Sequence, residues 1–300
     1  MVGPTAAGKS SLAMRISEQI GAEIVSVDSA AIYRGMDIGT DKPTAEDRRR
    51  VPHHLLDIND PGEAPTVAQF QEAGRARVDD ILRRGKVPLL VGGSGLYFRA
   101  IVDPLEFPPT DPEVRARLES EAYEFGGWEM FRRLEVADPE AASRMHPANV
   151  RRTIRALEVI DLTGRPFSSY RVAWDDRKSV YRLKAAGLAL ALEELNLRID
   201  ARVDALIARG WVEEVKALTQ AGVVFSATSL QALGYAQILG YLDGRSTLDQ
   251  AIEETKLRTR QFARRQLRWF RADPRVKWFD DPDAAAAYLT NDEMDKQVDD

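Results

Sequence analysis

Apolar and polar positions alternate in two regimes along the chain. After a glycine-rich opening, residues from Ser10 to about Ile20 repeat apolar side chains at the spacing of an amphipathic helix, and the run Glu23 to Val27 follows as a buried strand. A second helix is expected from about Val67 to Arg84, stopped by Gly85, after which Val87 to Val91 enters Gly92-Gly-Ser-Gly95. Strands that alternate with helices imply a parallel sheet. Around Phe107-Pro-Pro-Thr-Asp-Pro112 the strands stop, and charged helical stretches run to about Asp161 and close near Gly164-Arg-Pro166. Sheet patterning resumes at Ala185 to Leu192, helices dominate to Arg271, and a short strand is expected at Val276 to Phe279.

The opening carries the first chemistry. Gly3-Pro4-Thr5-Ala6-Ala7-Gly8-Lys9-Ser10 fits G-x-x-x-x-G-K-[ST], a loop whose backbone N–H groups wrap a phosphate chain. Lys9 supplies a point charge, Ser10 can join a Mg²⁺ shell, and the helix that begins here adds its positive end. The expected fold is therefore α/β: a P-loop NTPase-like parallel sheet flanked by helices, with a helical insertion domain. Residues 1–106 form the first part of the core, 107–180 the insertion, 181–290 the second part with a basic helix, and 291–300 an acidic tail. Such a loop should follow a buried strand, yet only Met1 and Val2 precede Gly3, so the first strand is expected to be missing. Asp28, just past the run Glu23 to Val27, projects from the sheet edge where ligands of open α/β sheets bind. On the residues alone it can hold magnesium, act as a general base or cap a helix.

Composition narrows the classes. With 44% hydrophobic residues in 300, a full core is available, and no long uncharged apolar run or leader pattern precedes the loop, so a cytoplasmic protein without membrane spans is expected. The absence of cysteine excludes disulfides, thiolate zinc and a cysteine nucleophile. His53 and His54, adjacent on a presumed strand, point to opposite faces and make a poor chelate, and His146 stands apart. A net charge of -5 hides a basic segment, Lys256 to Lys277, with nine cationic side chains against Asp273 alone. Arg260, Arg264, Arg268 and Arg271 share one helical stripe suited to neutralising phosphates, and few acids nearby in sequence can pair with them. Trp269 and Phe270 are expected to be buried. Arg198 and Arg202 fall four apart on a helix, where pairing with Asp200, Glu193 or Glu194 is the plain alternative to function.

Nine motifs in order give the chain a specific resemblance. They are Gly3 to Ser10, Asp28-Ser29-Ala30-Ala31-Ile-Tyr33, Gly35-Met-Asp-Ile-Gly-Thr-Asp-Lys-Pro43, Pro52-His-His-Leu-Leu-Asp57, Leu90-Val-Gly-Gly-Ser-Gly-Leu-Tyr97, Asn149-Val-Arg-Arg-Thr-Ile-Arg-Ala-Leu-Glu158, Leu197-Arg-Ile-Asp-Ala-Arg202, Ala232-Leu-Gly-Tyr235 and Ala263-Arg-Arg-Gln-Leu-Arg-Trp-Phe-Arg271. Together they resemble the tRNA dimethylallyltransferase family, bacterial type, from Gly3 to about Phe279. Ser94 stands where a threonine is common, and Ala31 varies the segment after Asp28.

The resemblance implies transfer of a dimethylallyl group from dimethylallyl diphosphate to the N6 amine of an adenosine beside the anticodon of tRNA. By that analogy Thr5, Lys9, Ser10 and Arg202 meet the diphosphate and Mg²⁺, and Asp28 takes the amine proton. The tRNA contacts it implies are Asp28, Ser29, Ala30, Ala31, Ser94, Arg115, Arg151, Arg152, Thr153, Ile154 and Arg155. Gln231, Ala232, Leu233, Gly234, Tyr235, Ala236, Arg264, Arg265, Arg268 and Arg271 complete the surface. The expected partners are the anticodon arm and the prenyl diphosphate, with the chain working as a monomer. Two other classes fit parts of the pattern: a P-loop kinase acting on a small acceptor, and an RNA-binding protein with a regulatory nucleotide site.

Overall fold

In the computed structural model, helix α1 (Lys9–Ile20) buries Leu12, Ala13 and Ile16 against strand β1 (Glu23–Ser26), all four of whose residues are buried. The structure describes residues 1–171, 174 and 176–291; apart from Asn291, the tail expected at 291–300 lies outside the described residues. By contact the chain divides into two units, 1–102 with 182–300, and 103–181.

The first unit holds the sheet. β1 pairs in parallel with β2 (His53–His54) on one side and β3 (Pro88–Val91) on the other. β4 (Ala185–Leu188) and β5 (Val276–Phe279) form a second parallel pair. Val2, fully buried, bridges Gly92 and Gly187, so one residue stands between the two sheets where the alternation calls for a strand. Its N–H donates to the Ala186 carbonyl at 2.9 Å. The expected strand to Leu192 stops at Leu188, because Leu192 opens a helix whose first turn carries Glu193 and Glu194, acids that favour a helix N-terminus.

A buried carboxylate organises the start of β1. Glu23 receives Arg84 at 2.5 Å, Lys86 at 3.0 Å and the His54 ring at 2.7 Å. The hydrogen bonds from Arg84 hold it well below the usual carboxylate range despite burial. His53 meets the Val51 carbonyl at 2.8 Å, so both histidines have structural partners.

Around the sheet lie α2 (Ala45–Arg50), α3 (Val67–Arg83), α4 (Gly95–Val102), α9 (Leu192–Ala208), α10 (Trp211–Gln220), α11 (Tyr235–Leu242), α12 (Leu248–Arg271) and α13 (Pro282–Thr290). Thr66 starts α3 with a capping box to Gln69. Leu195 and Ile199 of α9 pack on Ala263 and Leu267 of α12, with Ala6 of the phosphate loop at the edge of that cluster.

The second unit contains α5 (Pro112–Phe125), α6 (Gly127–Ala137), α7 (Pro139–Ala142) and α8 (Val150–Thr163) around Leu118, Met130, Phe131, Leu134 and Leu157. Among the described residues no helix is long and apolar enough to cross a membrane.

Candidate active site

The phosphate loop leaves Val2 and curls back into α1. Ala6 and Gly8 both take left-handed backbone angles, φ 61° and 87°, the kind of backbone from which anion-binding loops are built. The loop is pinned from α12: the Thr5 N–H donates to Gln266 Oε1 at 2.9 Å, and Gln266 Nε2 donates to the Gly93 carbonyl at 3.0 Å. Gln266 is buried, and a Cβ on Gly93 would lie 2.0 Å from its Nε2, so the close approach requires glycine there. Beside it, a Cβ on Gly95 would strike the Trp269 ring at 2.1 Å.

Three cationic or acidic groups meet at this edge. Lys9 Nζ donates to the Pro4 carbonyl at 2.5 Å. Burial, reinforced by the Arg202 charge, pushes Lys9 down to about 7, while Asp28 pulls the other way. Arg202, half-buried on α9, donates from Nη1 to Thr5 Oγ1 at 2.6 Å across 197 positions of chain. Asp28 follows β1 and accepts the Ala30 N–H at 2.8 Å. No helix begins there, so the capping alternative gives way to a turn that holds the carboxylate half-exposed. The Ser94 N–H donates to the Val27 carbonyl at 3.2 Å and joins the ends of β1 and β3. Thr5, Lys9, Asp28, Ser94 and Arg202 thus gather at the C-terminal edge of the sheet, with Ser10 exposed at the first turn of α1.

The residues that the resemblance nominates for RNA differ in exposure. Thr153, Ile154, Ala31, Ala232, Gly234 and Tyr235 are buried, because they lie on the inward faces of their segments. The Tyr235 hydroxyl donates to Glu214 at 2.7 Å. Arg115 and Arg155 lie 2.6 and 2.8 Å from Glu158, a fully buried carboxylate, and so neutralise the insertion's interior. Exposed instead are Ser29, Arg151, Arg152, Gln231 and Ala236, with Ala30 and Leu233 partly so.

The basic helix divides similarly. Arg260 pairs with Asp200 at 2.5 Å, an acid from α9 that is distant in sequence, and Arg198 pairs with Glu194 at 2.6 Å. Arg264, Arg265, Arg268 and Arg271 stay exposed, with Arg265 over Phe262 and Arg271 over Trp278. Phe270 is buried as expected, whereas Trp269 keeps partial exposure against Gly95. Gln266, Glu214 and Asp41, whose carboxylate lies 3.3 Å from Arg202 Nε, were given no role from the sequence. Gln266 lies inside a quoted motif, and its position between arginines was the available signal.

Comparison with known proteins bears on this geometry. The model of the IPP transferase family matches residues 31–273. The chain is 51% identical over 278 residues to the tRNA dimethylallyltransferase of Streptomyces coelicolor, covering 93% of this chain and 88% of that protein. It is similar to the crystal structure of the full-length tRNA isopentenylpyrophosphate transferase of Bacillus halodurans, with TM-score 0.69, 40% identity and coverage of 96% and 92%. A eukaryotic dimethylallyltransferase, captured crystallographically acting on tRNA, aligns with TM-score 0.74 at 28% identity over 90% of this chain and 68% of its own.

Proposed function

The chain belongs to the IPP transferase family, and from that premise we propose that it transfers the dimethylallyl group of dimethylallyl diphosphate to the N6 amine of an adenosine beside the anticodon of tRNA. The observation that carries this reading is the meeting of Arg202 with Thr5 of the phosphate loop, on the same sheet edge as Asp28. In the reaction the allylic C–O bond breaks and its electron pair leaves with diphosphate. The amine lone pair forms the new C–N bond, and the amine proton passes to the Asp28 carboxylate.

Each residue has a physical task. Loop N–H groups, Lys9 and Arg202 are fixed before reaction, so they stabilise the charge that grows on the leaving diphosphate more than the charge of the bound substrate. Asp28 serves an amine that conjugation makes a poor nucleophile; proton removal by a placed carboxylate contributes on the order of 10²–10⁴ in rate. The donor set suits Mg²⁺: Ser10 presents an exposed hydroxyl at the first turn of α1, and Mg²⁺ prefers one or two protein ligands completed by phosphate oxygens and water. Ser10 would hold it, and when bound it would disperse charge on the diphosphate.

For the RNA, the exposed Arg264, Arg265, Arg268 and Arg271 offer a phosphate-tracking face, and Arg151 and Arg152 offer another on the insertion. A single-stranded loop lets the target base leave its stack and reach Asp28. The kinase alternative is not favoured, since β3 runs into glycines without the acid that supports phosphoryl transfer, and the relatives are prenyl transferases.

Asp28→Asn tests the assignment. Prenyl transfer should fall by roughly a hundredfold or more, with tRNA affinity within about twofold of the parent. Transfer within a few-fold of the parent would remove Asp28 from its role.

A further inference from the structure

The segment Gly35–Pro43 holds three charged residues, Asp37, Asp41 and Lys42, and the reaction above uses none of them. Two anchors hold the segment to its surroundings, and an internal turn shapes it. The Lys42 ammonium, whose side chain is 1% exposed, lies 2.5 Å from the Tyr33 carbonyl, 2.7 Å from Asp37 and 2.5 Å from Asp57. Glu214 of α10 accepts the backbone N–H groups of Asp37 at 2.8 Å, Ile38 at 2.6 Å and Gly39 at 3.3 Å, besides the Tyr235 hydroxyl. Asp41 itself takes φ 53° and donates its N–H to the Ile38 carbonyl at 2.9 Å.

So fixed, Asp41 directs its carboxylate at Arg202 of α9 and at Arg209, the residue that follows that helix. Oδ2 lies 3.3 Å from Arg202 Nε, and Oδ1 lies 2.9 Å from Arg209 Nη1. The opposite side of the Arg202 guanidinium reaches Thr5 through Nη1. Asp41 therefore occupies the Nε edge and leaves the Nη edge for the phosphate loop. A carboxylate this close weakens the attraction of Arg202 for an anion, so it favours reaction only if orientation outweighs the lost charge. Sharing Asp41 between two arginines limits that loss, and fixing a long side chain in advance removes ordering cost from the reactive complex.

We propose that Asp41 is a positioning residue that aims Arg202 at the departing diphosphate, and that Gly35–Pro43 is a strut between the two poles of the site. Its neighbour Lys42 grips the carbonyl of Tyr33, whose N–H closes a turn onto Ala30, the residue whose N–H Asp28 accepts, while Asp41 grips Arg202. This rests on the reading that Arg202 serves the leaving group.

The test is a double-mutant cycle on the full chain, using Asp41→Asn, Arg202→Ala and their combination, with Asp41→Glu as the conservative variant. Single-turnover transfer is measured against dimethylallyl diphosphate at saturating tRNA, together with tRNA affinity and the thermal midpoint. Asp41→Asn should lower kcat/KM for the prenyl diphosphate at least tenfold, mainly through kcat, with tRNA affinity within twofold and part of the loss restored by Asp41→Glu. In the Arg202→Ala background the same change should alter the rate less than twofold, because its effect passes through Arg202. Unaltered transfer in Arg202→Ala would instead bring down the reading of Arg202. An impaired Arg202→Ala that Asp41→Asn slows as strongly as it slows the parent would overturn the positioning role alone. So would parental activity in Asp41→Asn, or a loss matched by equal losses in tRNA affinity and thermal stability.

Discussion

Lys9 is enclosed by its own loop and faces Arg202 without a carboxylate in contact, and its ammonium is pushed down to about 7 by burial first and by Arg202 second. Near neutrality the free enzyme is therefore a mixture of charged and neutral Lys9. A bound diphosphate favours the charged form, so binding draws in a proton, and affinity weakens as pH rises above 7. The KM for dimethylallyl diphosphate should rise several-fold over about one pH unit above 7, and less steeply in Lys9→Arg, whose guanidinium stays charged. Equal slopes in the two proteins would contradict this. Residues of this kind divide by how far their partners lie along the chain. The loop Gly3 to Ser10 was legible because its chemistry is local in spacing. Gln266 was not, since its contact with Thr5 spans 261 positions. Glu214 joins Asp37 across 177 positions, which no pattern around either residue signals.

At the level of elements, α1, β1, α3, β3 and β5 were read within a residue or two, because burial imposes periodicity on them, whereas the helices of the insertion and of the second half were read only as helical stretches and α2 and α4 were not read. The faces of charged helices were less legible. Arg155 and Glu158, three apart on α8, look like a solvated pair, yet Glu158 is fully buried. Burial raises its carboxyl, but hydrogen bonds from Arg115, Arg155, Thr110 and the Asp111 backbone outweigh that and hold it at about 2. A folded-state value below the unfolded 4.5 means the stabilisation is complete above 4.5 and is lost as pH falls toward 2. Discounted for the partly exposed arginines, it amounts to roughly 2–3 kcal/mol. Denaturant unfolding of the full chain should show Glu158→Gln less stable by about that amount at neutral pH, with the gap narrowing in acid between 4.5 and 2. A gap that holds constant or widens would be inconsistent with the buried ion pair.

Across the whole molecule, the sheet sets where chemistry can occur. A three-stranded and a two-stranded parallel sheet, with Val2 between them, carry the phosphate loop, Asp28 and Ser94 on one edge, and α9 and α12 bring Arg202 and Gln266 onto it from the second half of the chain. The order of elements and the sheet edge were readable from alternation. The return of the second half onto the phosphate loop was implied only by the resemblance, through Arg202, and not by alternation, because it depends on packing among Ala6, Ile199, Ala263 and Leu267. The central claim is that this loop stabilises an allylic leaving group rather than a transferred phosphoryl. It is tested most directly by incubating the purified protein with unmodified tRNA, Mg²⁺ and dimethylallyl diphosphate labelled in the prenyl carbon, beside a parallel reaction with ATP labelled in the γ-phosphate. The account predicts prenyl label in the tRNA and no label passed from ATP to an acceptor. Label moving from ATP alone, with the prenyl diphosphate ignored, would contradict it.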